Sequence, residues 1–223
     1  MNTEKIIVYE DDNLIICNKP VGMASQSERG FEQDLVSFVL NYRAEKGEAV
    51  YAAIINRLDK PVGGLVLFAK DKKTAARLSA LSGEHSIEKK YYALVKGRTP
   101  KKGQFEDYLL KTSANNVSKI VSEDMPGAKR AKLLFNTLGQ KIVDGEEYSL
   151  VEVRLLTGRH HQIRVQFSGH GYPLYGDTKY NPDFSKKRGI YPALFAYHLS
   201  FKNPVGIDTI TVATEPENRI FKL

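Results

Sequence analysis

The stretch INRLDKPVGGLVLFAKD, residues 55–71, joins a charged turn to an apolar segment. Asp59 lies between Arg57 and Lys60, and the run GLVLFAK that follows (64–70) has the length and composition of a buried strand. A carboxylate between two cations is either a surface ion pair or an acid that must remain ionised. The stretch therefore predicts a strand and leaves the role of its acid open.

The residues after this strand predict a helix. In DKKTAARLSALSG, Asp71 has the side chain of an N-cap, and Ala75, Leu78 and Leu81 share one helical face. A second helix is predicted for GFEQDLVSFVLNYRAEKG, residues 30–47, because apolar residues recur there at helical spacing. These apolar residues are Phe31, Leu35, Phe38, Val39 and Tyr42.

Strand patterns dominate the rest of the chain. KIIVY (5–9) and LIICN (14–18) predict two strands joined by a turn, and the region from KKYYALVKG to EYSLVEVRLLTG predicts strand after strand. The segment 158–171 is interpreted as a helix ending at Gly169 or Gly171, and LFAYHLSFKNP and DTITVATEP predict further strands. Runs of strands with few helices indicate the α+β class, with a mixed, mainly antiparallel sheet and flanking helices. We expect a single domain over residues 1–223.

Composition narrows the class of protein. Hydrophobic residues make up 42% and charged residues 26%, and no apolar run approaches the roughly 20 residues that span a bilayer, which excludes a membrane protein. The formal net charge of +7 favours a polyanionic partner. The only cysteine, Cys17, lies in an apolar strand and is expected to be a buried hydrophobe. We expect a cytoplasmic protein.

Several chemistries lack their motifs. The chain has no GxxxxGK[ST] loop, no GxGxxG before a helix, no HExxH, no paired cysteines and no GxSxG. Nucleotide hydrolysis, dinucleotide redox chemistry, a catalytic zinc site and acyl-enzyme chemistry are therefore disfavoured. The remaining candidate for a functional motif is a pair of stretches, RLDKPVGGLVLFAK and, about a hundred residues downstream, LLTGRHHQIRV.

These two stretches resemble the signatures of the RluA-type pseudouridine synthases, and NKPVGM, KKYYALVKG and GYPLYGDTKY resemble further family segments in the same order. The resemblance extends from about residue 5 to residue 213. It implies the pseudouridine synthase fold with a central catalytic cleft. The family often carries an additional N-terminal RNA-binding module, and we expect no separate one here because the matching segments begin almost at residue 1. It also implies isomerisation of uridine in ribosomal or transfer RNA, without metal or other cofactor. We expect a monomer.

The resemblance also assigns residues. Asp59 is the expected nucleophile, Arg164 the cation that pairs with it, and Tyr91 the aromatic residue that stacks on the target base. The segment KKYYA matches K-x-Y-x-A in full only with Tyr91 as the tyrosine, which places Tyr92 on the opposite face of the strand. Four further residues are expected to bind substrate or to orient the loop around it: Arg57, Arg159, His161 and Gln162.

The chain also departs from the family pattern. Asn56 precedes RLD where histidine is usual, PVGG replaces a more usual turn, and His160 and Gln166 stand where other residues are common. These departures bear on which RNA is accepted. Two alternative functions stay open: a catalytically idle RNA-binding protein on the same scaffold, and a nucleoside or glycoside hydrolase. The hydrolase needs a second carboxylate, for which the sequence has no convincing spacing.

Overall fold

The chain divides into two compact units in the computed structural model, which describes residues 3–27, 33–112 and 116–223. The first unit comprises Met1–Glu88 and Ala196–Pro216. The second unit comprises Lys89–Phe195 and Glu217–Leu223. The expectation of one domain over the whole chain stays a prediction.

The first unit is a small sheet with helices. Its helices are α1 (Thr3–Ile6), α2 (Leu35–Glu45) and α3 (Lys72–Gly83). Its strands are β1 (Ile7–Glu10), β2 (Leu14–Lys19), β3 (Ala53–Ile54), β4 (Gly63–Ala69), most of β10 (Leu194–Lys202) and β11 (Thr209–Ala213). The strand order is β1-β2-β4-β10, with β3 paired to β4 and β11 paired to β10. The β1–β2, β2–β4, β3–β4 and β10–β11 pairs are antiparallel.

The second unit is an antiparallel sheet with one helix on it. Its strands are β5 (Glu88–Lys96), β6 (Lys102–Thr112), β7 (Val117–Val121), β8 (Lys129–Val143) and β9 (Glu146–Leu155), and its helix is α4 (Gln162–Gly169). The strand order is β5-β9-β8-β6-β7, and each neighbouring pair is antiparallel. Short 3₁₀ turns occur at Pro182–Phe184 and Arg219–Phe221.

These elements confirm the predicted α+β class and its mainly antiparallel pairing. The helix predicted to end at Gly169 or Gly171 ends at Gly169. Of the predicted apolar face of α2, Phe31 lies outside the described residues. The strand predicted for residues 5–9 is wrong at its start, because Thr3–Ile6 is a helical turn that buries Ile6 without strand pairing. None of the described helices is long and apolar enough to cross a bilayer.

The stretch 55–71 contains β4, which lies between β2 and β10 in the sheet of the first unit. Every residue of β4 is buried, and Asp71 caps α3 by accepting hydrogen bonds from the backbone N–H groups of Lys73 and Thr74. Gly64 has φ +118°, and a Cβ atom there would lie 2.2 Å from the carbonyl oxygen of Ala196. A glycine is therefore required at position 64, near the start of β4, because the β10 backbone approaches so closely.

Helix α4 is held to the second sheet by aromatic packing. The ring of Phe167 lies 5.0 Å from the ring of Phe105 on β6 and 5.3 Å from that of Phe135 on β8. Phe135 is opposite Val153 on β9, and Val153 is opposite Tyr91 on β5. The face of the sheet that carries Tyr91 is therefore the face on which α4 packs.

A cluster of charged side chains joins the end of α2 to the strands of the first unit. Lys70 Nζ lies 2.9 Å from both Glu10 Oε1 and Glu48 Oε2, and Arg43 Nε lies 3.0 Å from Glu48 Oε2. The Lys70 and Arg43 side chains are buried. Hydrogen bonds from Lys70, then from Arg43 and Lys46, lower the pKa of Glu48 to about 2 against the opposing effect of burial. The cluster is thus a set of partly buried charges, each with a partner of opposite sign.

We expect Glu48→Gln to change the acid sensitivity of folding. A carboxylate whose pKa falls from 4.5 to about 2 on folding stabilises the folded state above pH 4.5 and loses that contribution as the pH falls towards 2. The difference in unfolding free energy between the native chain and the variant should therefore shrink between pH 5 and pH 2.5. Urea unfolding followed by circular dichroism at several pH values measures it. Glu45→Gln, at an exposed position on α2, is the control, and a constant difference for Glu48→Gln contradicts the prediction.

Candidate active site

The loop that carries Asp59 is fixed by hydrogen bonds on both sides of the acid. Ser25 Oγ donates to the Leu58 carbonyl at 2.7 Å and accepts from the Leu58 N–H at 3.0 Å, while the Val62 N–H closes the turn on the Asp59 carbonyl at 2.9 Å. The Asp59 side chain is partly exposed, and Arg57 is exposed. The backbone thus presents the carboxylate from a rigid turn.

A buried ammonium lies beneath this loop. Lys19, which is 1% exposed, donates through Nζ to the carbonyls of Met23 at 2.7 Å, Pro20 at 3.0 Å and Lys60 at 3.3 Å. Burial lowers the pKa of Lys19 to about 7, and the Asp59 charge acts in the opposite direction. Lys19 therefore joins the NKPVGM segment to the residue after the acid and places a cation near the carboxylate. Sequence reasoning quoted this segment without selecting Lys19, although a lysine at the end of an apolar strand was the available signal.

Asn56 has a structural partner. Its Nδ2 donates to the Leu65 carbonyl at 3.2 Å and its Oδ1 accepts from the Leu67 N–H at 2.8 Å. The amide of this side chain therefore binds the backbone of β4 as a neighbouring strand would. The departure from histidine at this position is compatible with a well-supported Asp59 turn.

Arg164 is held by a buried carboxylate in the second unit. Its Nε and Nη2 donate to Asp177 Oδ2 and Oδ1, each at 2.7 Å, and the two residues are 3% and 0% exposed. Asp177 Oδ1 also accepts from the backbone N–H groups of Lys179 and Tyr180. This two-point contact fixes the plane of the guanidinium. Arg164 belongs to the second unit and Asp59 to the first, and their expected pairing stays a prediction.

Tyr180 links Arg164 to His161. Its ring centroid lies 5.2 Å from Arg164 Cζ, and its hydroxyl lies 2.8 Å from His161 Nδ1. The same hydroxyl accepts from the Ser118 N–H at 2.7 Å. Burial, and then the Arg164 charge, lower the pKa of His161 to about 2, so the imidazole is neutral at ordinary pH. The Tyr180 hydroxyl can therefore donate to Nδ1, which leaves the His161 proton on Nε2.

His160 and Gln166, which also depart from the family pattern, connect α4 and the residue before His161 to neighbouring strands. His160 stacks on His161 with ring centroids 3.8 Å apart, and its Nδ1 lies 2.9 Å from Ser118 Oγ on β7. Gln166 Nε2 donates to Asp107 Oδ2 on β6 at 2.7 Å. His160 thus has a partner on β7 and Gln166 Nε2 has one on β6, whereas Gln166 Oε1 is buried with no hydrogen-bond partner among the described residues.

Gln162 and Arg159 shape the loop before α4. Gln162 Oε1 accepts from Thr157 Oγ1 at 2.8 Å and from the Arg159 N–H at 3.0 Å, while its Nε2 donates to the Lys132 carbonyl at 3.1 Å. Arg159 Nε donates to the Arg130 carbonyl at 2.8 Å. The Gln162 side chain thus orients the loop backbone, one of the two roles expected for it. Contact of either side chain with substrate stays a prediction.

The two tyrosines of KKYYA lie on opposite faces of β5. Tyr92 packs against a core cluster formed by Leu94, Tyr148, Leu150 and Ala193. Tyr91 is opposite Val153 and is 7% exposed. Because side chains alternate along a strand, the two rings lie in different environments. Tyr91 lies on the face of the sheet on which α4 packs.

The chain is similar to known proteins along most of its length. A family model described as RNA pseudouridylate synthase matches residues 13–169. Ribosomal large subunit pseudouridine synthase D of Zymomonas mobilis is 33% identical over 211 residues, which cover 89% of this chain and 65% of that protein. tRNA pseudouridine synthase C of Haemophilus ducreyi is 30% identical over 220 residues, covering 93% and 89%. The chain spans less than two thirds of the length of the Zymomonas relative.

A solved structure shares the fold. Human RNA Pseudouridylate Synthase Domain Containing 1 superposes with a TM-score of 0.77, at 22% sequence identity, over 97% of this chain and 86% of that chain. Human RNA Pseudouridylate Synthase Domain Containing 4 gives a TM-score of 0.76 at 23% identity, over 96% and 89%. At these identities the likeness concerns the fold alone.

We expect Asp177→Ala to destabilise the protein strongly. The substitution leaves the Arg164 guanidinium buried without its carboxylate, a change that costs about 3–5 kcal/mol in other proteins. Asp183→Ala is the matched control, because Asp183 pairs with Lys96 at the surface and such pairs contribute about 0–1 kcal/mol. Urea unfolding of the two variants measures both values, and equal effects for Asp177 and Asp183 contradict the assignment.

Proposed function

Because the chain belongs to the RNA pseudouridylate synthase family, we propose that it converts uridine to pseudouridine in structured RNA. Its relatives include a ribosomal large subunit pseudouridine synthase and a tRNA pseudouridine synthase, and we propose one of these two RNA classes as the substrate. The target nucleotide must leave its stack to reach a carboxylate held in a protein loop.

The proposed reaction is an isomerisation. The bond between uracil N1 and ribose C1′ breaks, the base turns, and a bond forms between uracil C5 and C1′. The hydrogen at C5 leaves as a proton, and N1 gains one, so the number of atoms in the product equals that in the substrate. A carboxylate can provide the nucleophile for this sequence without metal or other cofactor. Asp59 is the carboxylate that we assign to this role.

The observation that carries the proposal is the support of Asp59. A partly exposed carboxylate stands on a turn whose backbone is bonded through Leu58, Lys60 and Val62, with the Lys19 ammonium among its charged neighbours. A nucleophile needs a fixed position, and the bonded turn provides it. A surface ion pair would require neither the buried lysine nor the bonded turn.

The residues of the second unit have supporting roles in the proposal. We assign Arg164 to pairing with Asp59, since Asp177 already fixes the guanidinium plane. Tyr91 is the proposed stacking surface for the uracil, a contact worth about 1–3 kcal/mol per base. Further contacts to the RNA are assigned to four residues around the two motifs: Arg57, Arg159, His161 and Gln162.

The formal net charge of +7 supports binding of a polyanion, since cations that neutralise phosphates release counterions. Buried Cys17 is compatible with a reducing compartment, and we propose the cytoplasm. We propose that the active form is a monomer.

We expect Asp59→Ala to abolish the reaction while the protein still folds and binds RNA. Total RNA from cells that lack this protein, labelled with tritium at uridine C5, is the substrate, and tritium released to water is measured. The native chain should release tritium, and Asp59→Ala should lower the rate by about a thousandfold or more, because the nucleophile is lost. Asp208→Ala, at an exposed carboxylate of the same unit, is the control and should match the native rate.

Other outcomes lead to other functions. Release of tritium by Asp59→Ala at the native rate contradicts the role of Asp59. Absence of tritium release from the native chain, with RNA binding intact in both proteins, favours the idle RNA-binding alternative. Free uracil among the products indicates hydrolysis of the glycosidic bond in place of isomerisation.

A further inference from the structure

Lys89 differs from the other lysines whose pKa is lowered by burial. Burial lowers the pKa of Lys19, Lys89 and Lys141. The Nζ of Lys19 donates to three carbonyls, and that of Lys141 donates to the carbonyls of Ile220 and Lys222. Among the side chains that the structure describes, none forms a hydrogen bond or ion pair with the side chain of Lys89. Its ammonium is therefore partly desolvated without compensation from these residues.

The position of Lys89 relates it to the proposed base-stacking residue. Lys89 and Tyr91 are two residues apart on β5, so their side chains point to the same face of the sheet, about 6.6 Å apart along the strand. Lys89 is opposite Leu155 on β9. The same face carries α4, which bears Arg164. A cation with no partner among the described side chains thus lies on the sheet face that carries Tyr91 and on which the helix bearing Arg164 packs.

We propose that Lys89 binds the backbone phosphate of the nucleotide whose base stacks on Tyr91. The inference rests on the proposed function, since it takes a flipped uridine as the ligand. A base on the Tyr91 ring carries its phosphate on the far side of the ribose, and Lys89 lies about 6.6 Å along β5 from Tyr91 on the same face. The phosphate supplies the negatively charged partner that Lys89 does not have among the described residues.

Lys90 provides a matched control. It is the adjacent lysine on the same strand, it is also partly buried, and it points to the opposite face, where Arg154 is opposite it on β9. Lys89→Gln and Lys90→Gln remove the same charge from the same strand. If only net charge matters, the two substitutions should weaken RNA binding equally. The proposed phosphate contact predicts weaker RNA binding for Lys89→Gln only.

The first test uses a ten-nucleotide oligouridylate as the probe. Its affinity is measured by filter binding between 50 and 300 mM salt. Loss of one phosphate contact on a single strand should reduce the slope of log affinity against log salt by about 0.7 in Lys89→Gln, and Lys90→Gln should keep the native slope. The native slope in Lys89→Gln overturns the proposal.

The second test uses the tritium-release assay. Lys89→Gln should raise KM about tenfold and leave kcat within about twofold, and Lys89→Arg should restore most of the native KM, because a phosphate contact contributes to binding. A fall in kcat at unchanged KM overturns the proposal, since it assigns Lys89 to the chemistry of the base. If the native chain releases no tritium but the salt slope still changes at Lys89 only, the phosphate contact stands and the proposed function fails.

A stability measurement separates this role from a structural one. Lys89→Met removes an uncompensated charge from a partly desolvated position, so urea unfolding should show equal or greater stability than the native chain. Marked loss of stability in Lys89→Met indicates that the lysine supports the fold and overturns the proposal.

Discussion

The first unit depends on one ammonium group that binds the backbone of two loops. The carbonyls of Pro20 and Met23 come from the loop after β2, and that of Lys60 comes from the loop that carries Asp59. The Pro20 carbonyl also accepts from the Met23 N–H at 3.4 Å and the Lys60 carbonyl from the Gly22 N–H at 2.9 Å. Lys19 adds a second donor to each of these and is the donor to the Met23 carbonyl. The position of Asp59 is therefore determined by contacts to its neighbours in the chain.

In the second unit a buried carboxylate, that of Asp177, fixes the side chain of Arg164. Asp177 accepts four hydrogen bonds, two from Arg164 and two from backbone N–H groups, and is fully buried. Tyr180 extends this arrangement, since its ring lies near Arg164 and its hydroxyl meets both His161 and β7. In each unit a residue with no proposed catalytic or binding role thus fixes one that has such a role. This division of roles is typical of preorganised sites, where the supporting contacts reduce the cost of reaching the reactive geometry.

Local patterns in the sequence were sufficient to predict many of the helices and strands. The Asp71 cap of α3 and the apolar run of β4 involve residues close together in the chain, and both are as predicted. The contacts that organise the site were not predictable in this way. Lys19 bonds a carbonyl 41 residues away, and Arg164 bonds a carboxylate 13 residues away across a loop. Such partners depend on how the strands and loops fold back, which periodicity and capping rules do not describe. The short helix before β1 was also missed, because Ile6 belongs to a strand-like run yet is buried from a helical turn.

The three carbonyls around Lys19 also explain why this position requires a lysine. They converge on a single nitrogen, at 2.7, 3.0 and 3.3 Å, and a compact ammonium can donate to all three at once. An arginine carries the same charge, but its donors spread over a planar fork suited to two parallel acceptors. Placed in this pocket, a guanidinium would separate the NKPVGM loop from Lys60 in order to fit. The geometry of the acceptors, more than their charge, selects the residue at this position.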